Sequence, residues 1–154
     1  MSSRSGLWWD DLEPGRSWSS DPRTVTARDV SSFADLTGDD HPLHTDADAA
    51  AGGPFGGVVA HGLLGLSLAH GLMWASTHEL DESAVAFLGI RDWQFLAPIR
   101  PDDEVRVEYT VVARSSAPGK PRGVVEFDVR VLNQHDDLVQ SGVKTMLISR
   151  KVVA

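Results

Sequence analysis

The stretch from Gly62 to Ala75, GLLGLSLAHGLMWA, constrains this chain more than any other segment. On a helical wheel it is apolar on nearly every face, and a helix that is hydrophobic all round must be buried on all sides. Gly65 and Gly71 lower helix propensity, but they let a neighbouring backbone approach closely. The stretch is shorter than the roughly 20 residues needed to span a bilayer. It is therefore expected inside a protein core, and the rest of the chain must supply a wrapper.

The C-terminal half has the right pattern. Val105, Val107, Tyr109 and Val111 alternate with Arg106, Glu108 and Thr110, and Val125, Phe127, Val129 and Val131 alternate with Glu126, Asp128 and Arg130. Period-two alternation marks strands with one buried face. Ala117–Pro121 and Asn133–Asp137 read as turns, with further strands over 85–97 and 138–149. Consecutive strands joined by short turns make an antiparallel sheet. The expected fold is α+β: one domain over 1–154, a long antiparallel β-sheet wrapped around a buried central helix.

Ahead of this lies an arm over residues 1–22, rich in Ser, Asp, Trp and Pro, expected to lie over the body. Thr26 with Asp29 forms a variant capping box ahead of Val30, Phe33, Ala34 and Thr37, and Gly38 stands where that helix stops. Thr45 and Asp48 repeat the arrangement before a short helix over Ala49–Ala51, and 52–57 is a glycine-rich loop. The start of the chain has neither a long apolar core nor a small-residue cleavage site, so no signal peptide is expected. There is no cysteine, which excludes disulfides, a thiolate nucleophile and Cys-ligated zinc, and suits a reducing cytoplasm. The net charge of −8 without a basic block argues against a nucleic-acid partner, and no membrane partner is expected.

The chemistry concentrates in Gly38-Asp39-Asp40-His41-Pro42-Leu43-His44-Thr45-Asp46, between two helix ends. A carboxylate and an imidazole in a loop stiffened by Pro42 can serve as a general acid/base pair. The same loop could equally be a polar connection whose aspartates only cap helices. A second feature is Ala60-His61-Gly62 at the start of the apolar helix. The first N–H groups of a helix lack intrahelical partners and carry the positive end of its dipole. A glycine there lets a carbonyl oxygen approach, as an oxyanion site requires; it could also serve packing alone. His70 reads as a hydrogen-bonded core histidine, and Trp8, Trp9, Trp18, Trp74 and Trp93 read as packing residues, Trp74 as a possible tunnel wall. The spacing of Asp39, His41, His44 and His61 matches no standard zinc motif, so no metal is expected. Arg91, Arg100 and Arg122 are the candidates for a phosphate contact.

Taken together, GDDHPLHTD and the later AHGLLGLS resemble the signature of the MaoC-like dehydratase, or R-specific enoyl-CoA hydratase, family, which has a hot-dog fold. The positions that carry the resemblance are Gly38, Asp39, Pro42, Leu43, His44, Asp46, His61, Gly62 and Ser67. It implies a hydro-lyase: reversible syn addition of water to a trans-2-enoyl thioester, giving an R-3-hydroxyacyl thioester. Asp39 and His44 would be the catalytic pair, the Gly62 N–H would bind the thioester oxygen, and Ser67, His41 and His61 would support the site. No cofactor is implied beyond the CoA or phosphopantetheine arm of the acyl-thioester substrate. A homodimer or a dimer of dimers is implied, because one hot-dog unit is half of the usual double layer. His41 stands where the family carries Asn, which leaves a specialised biosynthetic dehydratase acting on a polyketide-like substrate as an alternative. A hot-dog thioesterase and a non-catalytic heterodimer subunit rank below it. The first lacks an acidic residue within 62–77, and the second typically loses the Asp or His that this chain retains.

Overall fold

The computed structural model describes residues 6–151. The main body is a helix, α4 (Gly62–Thr77), lying on one face of a sheet built from four 12-residue strands: β3 (Ala84–Phe95), β4 (Glu104–Ser115), β5 (Arg122–Asn133) and β6 (Leu138–Ser149). All pairings are antiparallel, with Val107 opposite Val131, Phe127 opposite Lys144 and Phe87 opposite Met146. The strand order β1-β4-β5-β6-β3 leaves the outer side of β3 unpaired among the described residues. Alternation does what the sequence implies: Val105, Val107, Tyr109, Val111, Val125, Phe127, Val129 and Val131 are all at most 2% exposed and face α4. The Tyr109 hydroxyl is paired with Ser76 Oγ at 2.8 Å and donates to the Met73 carbonyl at 3.1 Å, tying the sheet to the helix.

The N-terminal arm is more integrated than a strap. β1 (Ser17–Ser19) and β2 (Arg23–Thr24) both pair with β4 and extend the sheet. A 3₁₀ turn at Trp9–Asp11 docks on the far end, where the Trp9 ring lies between the guanidinium groups of Arg114 and Arg150 at 4.5 and 4.6 Å. Leu12 is fully buried. The first five residues of the expected arm lie outside the described residues.

The expectation that the central helix is buried on all sides needs correction. Leu64, Gly65, Leu68, Ala69 and Met73 are buried, but Leu63, Ser67, Gly71 and Ala75, each four residues apart, form an exposed row. That row contains no charge, so the helix reads as apolar all round although one face has no cover among the described residues. No helix among the described residues is long and apolar enough to cross a membrane.

α1 (Ala27–Thr37) follows its sequence signals closely. Thr26 Oγ1 accepts from the Asp29 N–H, the Asp29 carboxylate accepts from the Thr26 N–H, and Gly38 closes the helix at φ +78°. The next segment differs from expectation. Pro42–Thr45 forms an extra turn, α2, so the cap of α3 (Ala47–Ala51) moves to Asp46, whose carboxylate accepts from Asp48 and Ala49 N–H. Thr45 Oγ1 instead donates back to the Asp40 and His41 carbonyls.

Candidate active site

Two local structures bring the GDDHPLHTD loop to the start of α4. The extra turn α2 raises His44, and the segment before α4 runs alongside it, with Val59 N–H donating to the Leu43 carbonyl and Ala60 N–H donating to the Ile99 carbonyl. His44 Nδ1 lies 2.6 Å from the Val59 carbonyl oxygen. A carbonyl only accepts, so Nδ1 carries a proton, and in the neutral ring Nε2 presents the lone pair. His61 Nε2 lies 2.9 Å from the Asp39 carbonyl, which by the same reasoning places its proton on Nε2. The two imidazoles stack at 3.9 Å between centroids and 28° between planes, with Phe33 tilted against His61 at 5.0 Å.

One ligand atom from each of Asp39, His44 and His61 lies within 4.8 Å of the other two. A carboxylate and an unprotonated ring nitrogen at that spacing can hold a single water between them, and the same three donors could also meet a metal ion.

His44 and Gly62 both face a cavity of about 420 Å³ walled by apolar side chains including Phe55, Leu63, Phe95 and Ile99. That volume lies within the usual range for small-molecule sites. The cap residue His61 gives α4 no side-chain cap, and Gly62 N–H makes no hydrogen bond among the described residues. The helix therefore offers this donor to whatever occupies the cavity. A Cβ on Gly62 would stand 2.8 Å from two ring carbons of Phe95, so the glycine keeps the aromatic wall close to the helix start.

Asp39, His44, His61 and Gly62 are thus brought together. Ser67 is not: it is exposed, and its hydroxyl turns back to the Leu63 carbonyl at 2.8 Å. Ser67 stands one turn beyond Leu63 on the uncovered row and does not line the cavity. His41 is exposed and caps α2, with Nδ1 accepting from Leu43 N–H at 3.1 Å, and its ring lies edge-on to that of His44 at 6.3 Å between centroids. Of the three arginines, Arg91 pairs with Asp92 and Glu126, and Arg100 donates to the Phe55 carbonyl beside the cavity. Arg122 begins β5 and faces Ser149 across the ladder. His70 is hydrogen-bonded to Trp74 and Lys144, as a core histidine should be, and Trp74 borders a separate cleft with Phe87 and Ala84.

Gln140 escaped the sequence reading. It is 2% exposed, donates to the Gly62 carbonyl at 3.1 Å and accepts from Trp93 Nε1 at 3.3 Å, bracing the helix start from below. Its signal was available: it shares the inward parity of Met146 and Ile148 on β6.

The long antiparallel sheet carrying one apolar helix is a hot-dog fold. The likeness to a Mycobacterium tuberculosis protein with a double hot-dog fold (TM-score 0.80, 22% identity, covering 95% of this chain and 45% of that one) concerns the fold alone. An R-hydratase from Pseudomonas aeruginosa in its unliganded form superposes with TM-score 0.73 at 26% identity, over 97% of this chain and 92% of that one. Among curated proteins, the 3-hydroxyacyl-thioester dehydratase Z of M. tuberculosis is 34% identical over 93 residues, 60% of this chain and 62% of the relative. The chain spans less than two thirds of the length of the first curated relatives it matches. Residues 11–134 match the MaoC like domain, and the chain belongs to that MaoC-like dehydratase family.

Proposed function

We propose that this protein reversibly adds water across the double bond of a trans-2-enoyl thioester to give an R-3-hydroxyacyl thioester. The observation that carries the reading is a cavity lined by His44 and by Gly62, whose N–H is free among the described residues, with the Asp39 carboxylate within 4.8 Å of a His44 ring nitrogen. Polarisation comes first. An enoyl thioester is electrophilic at its β-carbon only when the thioester oxygen is stabilised as negative charge builds on it, and the N–H of Gly62 at the positive end of α4 supplies that without reorganising. Asp39 and His44 hold one water and take its proton as the oxygen bonds to the β-carbon. The proton then goes from the pair to the α-carbon on the same face, so the net change is addition of H and OH. Elimination runs through the same positions in reverse. No cofactor is needed beyond the arm that carries the acyl group, and the cysteine-free composition fits work in a reducing cytoplasm.

The names of the relatives support this reading, since a 3-hydroxyacyl-thioester dehydratase and an R-hydratase are among them. We further propose a homodimer. The free edge of β3 exposes Val85, Phe87, Leu88 and Ile90, and the uncovered row of α4 adds Leu63, at 60% exposure. An apolar, unpaired edge strand is a place for another chain to pair, and a second copy supplies the other half of a double hot-dog. The test is loss of the enoyl absorbance with trans-2-enoyl thioesters of several chain lengths, on CoA and on a carrier protein, with chiral analysis of the product. Wild-type activity giving the R alcohol is expected. Inactivity on every chain length and carrier, or an S product, would overturn the assignment.

A further inference from the structure

His61 occupies a peculiar position. It is 3% exposed, caps nothing in its own helix, and its Nδ1 is a buried ring nitrogen with no hydrogen-bond partner among the described residues. A buried acceptor without a donor is costly and asks for a reason. If the position needed only filling, a phenylalanine would match the stacking against Phe33 and His44 without stranding a lone pair. The imidazole offers one thing phenylalanine lacks, the Nε2–H held 2.9 Å from the Asp39 carbonyl. Asp39 is otherwise weakly held: it is exposed, and its N–H donates to Thr37 Oγ1 at 3.3 Å.

The ring performs a second task. His44 is fixed in its plane by the Val59 carbonyl, and against tilting by the face of His61 at 3.9 Å. His61 is covalently joined to Gly62, so a single residue touches the backbone of Asp39, the ring of His44 and the peptide of the helix-start donor. We propose that His61 is a positioning residue that sets the carboxylate, the imidazole and the oxyanion donor in register. This rests on the hydratase reading of the site for its kinetic consequence, though not for its structural one.

The test uses His61→Phe, which keeps a flat ring and removes both the donor and the stranded acceptor, together with His61→Gln, which keeps a donor should the first fail to fold. With an enoyl thioester that the wild type hydrates, kcat is expected to fall by about tenfold to a hundredfold with KM within about twofold, the scale that displacing reacting groups by about 1 Å produces. Backbone order at Asp39 and Asp40, read by NMR relaxation without substrate, is expected to fall while the interior of α4 stays rigid. An unchanged kcat, or a change confined to KM, overturns the proposal. If the wild type hydrates nothing, the hydratase reading fails on its own, and backbone order decides this inference: lower order at Asp39 and Asp40 upholds His61 as the tether, and unchanged order refutes it.

Discussion

Lys144 offers a quantitative test of how this core is built. It is 1% exposed, faces α4 from β6, and forms no ion pair among the described residues. Its partners are His70 Nδ1 at 2.5 Å and Met73 Sδ at 3.2 Å, with the Phe87 ring at 4.9 Å. Donor counting identifies the form of Lys144 that this arrangement suits. Trp74 Nε1 can only donate, so His70 Nε2 accepts, the His70 proton sits on Nδ1, and Lys144 must offer its nitrogen lone pair. Burial pushes the Lys144 amine down from 10.5 to about 8, so the neutral amine this arrangement suits prevails only above about pH 8, and burial followed by the nearby Lys144 charge lowers His70 as well. Between those two pH values the unfolded chain binds a proton that the folded chain does not, so stability rises with pH across the window. Below about pH 8 both states are protonated and the full deficit is present. At about 1.4 kcal/mol per tenfold change in proton affinity, that deficit is about 3 kcal/mol. Lys144→Met keeps the volume and removes the charge, giving up a contact to His70 worth about 1 kcal/mol. Urea unfolding at fixed protein concentration is expected to show the variant about 2 kcal/mol more stable than wild type at about pH 7.5. Wild type should gain about 2 kcal/mol by about pH 9.5, and the variant should not. Higher pH is avoided because the Tyr109 phenol, raised by burial, favours the folded state less once the unfolded chain ionises. A wild-type stability flat over this range, or a variant weaker at pH 7.5, would refute the reasoning.

Three further outcomes follow from packing and chemistry. A Cβ on Gly65 would lie 2.2 Å from Gln140 Nε2 and 2.9 Å from Ile99 Cδ1, so Gly65→Ala should cost about 1–3 kcal/mol in urea unfolding, and an unchanged midpoint would contradict the bracing role of Gln140. Leu88, 52% exposed on the free edge strand, should be required for dimer formation: sedimentation is expected to give a dimer for wild type and a monomer for Leu88→Asp, and a monomeric wild type would contradict the assembly. Dialysis against a strong chelator should leave hydration unchanged if Asp39, His44 and His61 hold water rather than an ion; loss restored by added metal would show the opposite.

Much of the fold could be read from the residues because its signals are local. Alternation over 105–111 and 125–131, the Thr26–Asp29 box and Gly38 each specify backbone within a few residues, and β6 begins and ends where the turn and the alternation place it. What was not legible depends on distant partners. β1 and β2 are three and two residues long and owe their extended form to β4. The cap of α3 moved one residue because Pro42 started an extra turn, which local capping rules do not foresee. The exposed row on α4 is apolar, and composition cannot reveal whether a chain covers such a face itself. Asp39, His44 and Gly62 were nameable from motif and helix-start chemistry, whereas the stacking of His61 on His44 arises only when two segments meet in space.

The hydration rate of four proteins tests the central claim most directly: wild type, Asp39→Asn, His44→Ala and the double variant, assayed on one enoyl thioester. Groups that act on the same water fail together. Each single variant should lose about 10²–10⁴-fold in kcat and the double variant little more than the worse single one. Activity within about twofold of wild type in either single variant, or losses that multiply in the double variant, would contradict a shared water held by Asp39 and His44.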